Sequence, residues 1–91
     1  MAVSLLQAGD FLSLEIDSGD LDAVKAYIKA EFPDVASEPA GIADRVKFGG
    51  AEFTFQNEWD DPCLISGSSE GDRLLRSIHE HFSRDPAARS A

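Results

Sequence analysis

Ninety-one residues make a single domain, and a chain this short buries only about 60–65% of the surface its unfolded form exposes, so it has one core and little spare stability. A net charge of −9 repels phosphate backbones, which argues against direct nucleic-acid binding. The 43% hydrophobic content argues against disorder, and no apolar run approaches the roughly 20 residues that cross a bilayer.

The single cysteine, Cys63, cannot form an internal disulfide, so the fold needs no oxidising compartment. Residues 1–7 have no basic residue and too short an apolar stretch for a secretory signal. A cytoplasmic location is the expectation. The charge is uneven: residues 1–42 set eight acids against Lys25 and Lys29 alone, residues 43–66 set five against Arg45 and Lys47, and residues 67–91 balance four acids with four arginines. Such a surface attracts basic partners at low salt, and it also serves plain solubility.

In chain order, residues 1–10 read as a poorly ordered start or a short extra element, with Val3, Leu5 and Leu6 followed by a Gly9-Asp10 turn. Residues 11–17 alternate cleanly, placing Leu12, Leu14 and Ile16 on one face, and form the first confident strand. Ser18 and Asp20 are helix N-cap candidates. From Leu21 to Phe32 the period is helical: Leu21, Val24, Ile28 and Phe32 fall within an arc of about 80°, with Tyr27 at its edge. Lys25, Lys29 and Asp22 are read as the far side, and Pro33 stops the helix. Residues 33–43, with two prolines and a glycine, read as a long connecting loop.

Two alternating runs flank Gly49-Gly50, which supplies the positive φ angles of a two-residue hairpin. Phe48 should then face Ala51, Lys47 face Glu52, Val46 face Phe53 and Arg45 face Thr54, burying Val46, Phe48, Ala51, Phe53 and Phe55. Residues 60–62 make the next turn and residues 63–66 a short strand. A second helix covers residues 70–82, with Ser69 and Asp72 resembling a capping box. Its stripe is Gly71, Leu74, Leu75, Ile78 and Phe82, and the missing side chain at Gly71 admits a close approach to the sheet. Residues 83–91 read as a flexible tail.

The expected fold is α+β, a two-layer sandwich over residues 11–82 in β-α-β-β-β-α order. Both helices pack on one face of a four-stranded, mainly antiparallel sheet whose other face is polar and solvated. The α-β-β-β-α part resembles the double-stranded-RNA-binding arrangement in architecture alone, since the basic signature of that function is missing.

No motif for chemistry survives its geometric check. There is no phosphate-binding glycine loop, and residues 17–22 lack the ligand spacing of a calcium loop. His79 and His81 point about 200° apart on a helix and cannot share an ion. Cys63 lies beside acids that disfavour its thiolate. No catalytic residue, metal site or cofactor is expected, and the chain is read as a non-enzyme. The alternation breaks at Asn57: strict parity makes Trp59 a cover for the end of the core, whereas a bulge at Asn57 would turn it outward beside Glu58, Asp60 and Asp61. Those four residues are the candidate binding site, an aromatic anchor with an acidic rim for a basic protein partner. Three functions stay open: an accessory or protein-binding domain, an immunity protein or inhibitor of a basic toxin or nuclease, and a domain that self-associates as a weak homodimer.

Overall fold

The structure, a computed structural model, describes residues 3–41, 43–58 and 61–83. The chain runs β1 (Val3–Ala8), β2 (Phe11–Ile16), a 3-10 turn (Ser18–Asp20), α1 (Leu21–Glu31), β3 (Ala36–Ala40), β4 (Ala43–Phe48), β5 (Ala51–Glu58), β6 (Asp61–Ser66) and α2 (Ser69–Ser83). All six strands form one antiparallel sheet in the order β1-β2-β6-β5-β4-β3. The α+β class with two helices is as expected. The sheet, however, has six strands and not four, and four strands rather than three separate the helices. The chain therefore departs from the double-stranded-RNA-binding order.

Both additional strands are edges. β1 pairs along its whole length with β2, from Val3–Ile16 to Ala8–Phe11, around the Gly9-Asp10 turn with Gly9 at φ 69°. β3 occupies the expected loop and pairs Ala36 with Lys47 through Ala40 with Ala43. Pro39 is tolerated there because an edge strand has one side with no ladder to feed, so a missing N–H costs nothing. Pro62 likewise lies inside β6 and not in a turn. It pairs with Asn57 on one side, while the ladder to β2 begins one residue later at Cys63–Glu15.

The central hairpin has the expected register, Phe48–Ala51, Lys47–Glu52, Val46–Phe53 and Arg45–Thr54. Its two loop glycines have φ of 60° and 81°. A side chain on Gly49 would also strike Leu74 and Phe32, so the turn doubles as the seat for both helices. Leu12, Leu14, Ile16, Phe48, Ala51, Phe53 and Leu64 on one sheet face join Val24 and Ile28 of α1 and Leu75 and Ile78 of α2 in one core.

α2 lies closest to β2 and β1 and also reaches β5 and β6. Its first turn is held by three contacts. Ser68, not Ser69, is the cap: its Oγ accepts from the Gly71 N–H at 3.0 Å. Asp72 does not close a capping box but reaches across to accept the Leu12 N–H at 2.8 Å. That donor sits where β6 turns away from β2 after Ser66, so the carboxylate continues a ladder that the strand has left. Gly71 is buried, and a Cβ there would fall on Ser66 Oγ and 3.2 Å from Phe53 Cε2. Ser66 Oγ cannot swing aside cheaply, because it donates to the Ser68 carbonyl at 2.7 Å and accepts the Ser68 N–H at 3.2 Å.

Two substitutions test this docking. Helix propensity alone makes Gly71→Ala stabilising by about 1 kcal/mol. The close approach reverses the sign, and urea unfolding should show a loss of about 1–3 kcal/mol. Asp72→Ala should cost about 1–3 kcal/mol by orphaning the Leu12 N–H, with faster hydrogen exchange at that amide. Asp72→Asn keeps an acceptor and should recover most of the loss.

Candidate functional site

Of the four residues singled out as a binding site, Glu58 ends β5 and Asp61 begins β6, and the two pair directly. Trp59 and Asp60 lie outside the described residues. The proposed bulge at Asn57 is absent: the β5–β6 register is unbroken from Phe53–Ser66 to Glu58–Asp61. Asn57 keeps core-face parity without penalty because it is exposed, beyond the end of the packed core. The flexible tail expected over residues 83–91 lies, apart from Ser83 at the end of α2, outside the described residues.

The sheet face away from the helices was expected to be polar and solvated. Its β5-β4-β3 half is, with exposed Arg45 3.1 Å from Glu38 and 3.4 Å from Glu52, and Lys47 3.9 Å from Glu52. Ion pairs this exposed contribute little to stability. The β1-β2-β6 half differs. Leu6 is 54% exposed, the one large hydrophobic so exposed among the described residues. Across the register from it lie Ser13 and then Ile65. Ser13 is buried, its hydroxyl donating to Glu15 Oε2 at 2.7 Å. β1 carries no charged residue. Being an edge, it leaves one row of backbone N–H and C=O groups unpaired by any strand of this sheet.

A second feature lies on the helical side. A cleft of about 540 Å³ opens between α1 and the β6-β5-β4-β3 strands, walled by Val24, Ile28, Val46, Phe55 and Leu64. Lys25, Lys29 and Asp44 also line it, so the lysines do not lie on the far side of α1. At 100° per residue Lys25 is about 40° and Lys29 about 80° round from Leu21, on the flank of the apolar arc. The Lys25 ammonium stands 5.6 Å from the centre of the Phe55 ring. The opposite flank of α1 meets α2, where Tyr27 stacks on His81 at 4.1 Å and meets Phe82 edge-on. Clamped there and free on the lysine side, α1 leaves the cleft open.

His81 therefore serves as an aromatic spacer between helices, while His79 lies 3.4 Å from Ser83 Oγ one turn on. Among the described residues no three His, Cys, Asp or Glu side chains converge as a metal-binding set, and no helix is long and apolar enough to cross a membrane. No protein-family model matches the chain, nor does any curated protein or solved structure.

Burial, reinforced by the nearby Glu31 carboxylate, raises the Tyr27 phenol above its ordinary value of 10.0. Tyr27 is the only tyrosine, so alkaline absorbance titration reads it directly. The folded midpoint should lie above that of the urea-unfolded chain, and Glu31→Gln should lower it. Because the folded value is the higher one, this group's stability contribution is complete below pH 10.0 and is lost as pH rises through the folded midpoint.

Proposed function

We propose that this chain is a non-catalytic protein-binding domain whose contact surface is the β1-β2-β6 half of the uncovered sheet face. The observation that carries the reading is β1: an uncharged edge strand with an exposed leucine at position 6. The opposite edge, β3, is defended by Pro39 and Glu38, whereas β1 has no such guard. An extended segment of a partner laid along β1 would take up its unpaired backbone groups and cover Leu6.

Two of the acidic residues named from the sequence, Glu58 and Asp61, end β5 and begin β6 beside the same surface. In register, Cys63 of β6 lies beside Glu15 of β2, so Asp61 and the end of the β5–β6 hairpin share one end of the sheet with Glu15 and Asp17. Glu58 and Asp61 close the β5–β6 pairing at that end, and Glu58, Trp59, Asp60 and Asp61 are retained as the proposed acidic part of the contact on their sequence alone. The partner is basic, since a charge of −9 steers cations and speeds their association at low salt. An immunity protein or inhibitor for a basic toxin is the specific form this reading takes if the partner is an enzyme.

Self-association through the same edge is the second reading, and the absence of charge in β1 favours it. Two copies related by a two-fold axis at Leu6 would place Leu6 against Leu6 and Leu5 against Gln7, keeping both sheets facing the same way.

Leu6→Lys tests both readings without touching the core. Sedimentation velocity should show a dimer of the parent chain that this variant abolishes, if the partner is a second copy. With a basic partner the parent stays monomeric, and a captured protein should be lost on Leu6→Lys, on combined replacement of Trp59, Asp60 and Asp61, and at high salt. Capture that survives Leu6→Lys, from a chain that remains monomeric, rules out the β1 surface.

A further inference from the structure

The cleft beneath α1 lies on the sheet face opposite the proposed protein contact and does not depend on it. Its volume of about 540 Å³ lies within the roughly 300–1,000 Å³ of small-molecule sites. Its walls are mainly aliphatic, with Phe55 as the one aromatic ring among the described residues. Polar groups are few: Ser37, Asp44, Lys25 and Lys29. An apolar bed with a small number of charged groups to one side is the arrangement that recognises an amphiphile by both of its ends.

The sign of the head group follows from the charges. Lys25 and Lys29 are the only bases among residues 1–44, and both line this one cleft, spaced one helical turn apart. Among the described residues neither forms an ion pair; Lys25 meets only the face of Phe55. Among the described residues Asp44 is the one carboxylate in the lining, so there cations lead by two to one in the most acidic part of the chain. Lys29 also complements the C-terminal end of the α1 dipole, whereas Lys25, a turn earlier, stands over the cleft's Phe55 ring.

We propose that the cleft binds a single-chain anionic amphiphile, its hydrocarbon chain against Val24, Ile28, Val46, Phe55 and Leu64 and its carboxylate between Lys25 and Lys29. Binding would cover the half-buried Val46 and Phe55 above a floor of buried Val24, Ile28 and Leu64, and it would take the ligand's own hydrocarbon chain out of water, which supplies the affinity. The two ammonium groups supply selectivity for an anion over a neutral or cationic analogue.

Decanoate, decanol and decyltrimethylammonium, each below its micelle concentration, test this with the full chain by methyl NMR. Decanoate should shift Val24, Val46 and Leu64 in a saturable way, and the other two probes should bind at least about tenfold more weakly, equivalent to about 1.4 kcal/mol. Lys25→Gln with Lys29→Gln should remove that preference, lowering decanoate affinity about tenfold while leaving decanol unchanged. Ser37→Phe, on the edge strand where added bulk is carried without disturbing the core, should narrow the mouth and weaken all three. The proposal fails if decanoate shifts Leu6 and Ile65 in place of the cleft methyls, if decanol or the cation binds as tightly as decanoate, or if the double lysine variant binds decanoate as the parent does. In that last case the lysine stems only cover the apolar wall.

Discussion

The close seating of α2 on β2 and β5 is the contact on which the rest of this structure depends. Gly71 brings the helix backbone down onto Ser66 and Phe53, and Asp72 anchors it by taking the Leu12 N–H at 2.8 Å. A helix this near the sheet excludes water from Leu14, Phe53, Leu75 and Ile78, all essentially unexposed. Burial on that scale is the chief support available to a chain of this size. The price is borne at β6, whose departure from β2 would leave an open donor if the carboxylate did not fill it.

α1 occupies what is left of the same sheet face. One flank is committed to α2 through the Tyr27–His81 stack at 4.1 Å, and its stripe reaches the core through Val24 and Ile28. It cannot also lie flat on β4 and β3, so an apolar cleft remains on the lysine side. The two surfaces with spare apolar area thus have different origins. The β1 edge is open because the sheet ends there. The α1 cleft is open because one helix cannot meet α2 and the far strands at once.

Much of the scaffold is legible in the residues. Gly49-Gly50 between two alternating runs determines the β4–β5 register, because only glycine takes positive φ at both positions cheaply and a slip by one residue would bury Lys47 and expose Phe53. Gly71 in an apolar stripe announces the helix-to-sheet approach. The candidate site is far less legible. Asn57 breaks a pattern of alternation, yet the strand continues unbroken to Glu58, since a polar residue beyond the end of the core is under no pressure to turn. The lysines of α1 could have been placed from their wheel angles, which put them beside the stripe; that they line a cavity depends on how far α1 stands from the strands.

The sequence by itself determined the class, the two helices, the central hairpin and its inward face, because these rest on periodicity and glycine φ angles, which are local. Only the tertiary structure decided that Val3–Ala8 and Ala36–Ala40 are strands. Edge strands bury little, tolerate Pro39 and draw their order from hydrogen bonds to a neighbour distant in the pattern, so their residues need not advertise them. The reach of Asp72 to Leu12, sixty residues away, is of the same kind. Its partner exists only once β6 has turned aside and left that N–H to be met.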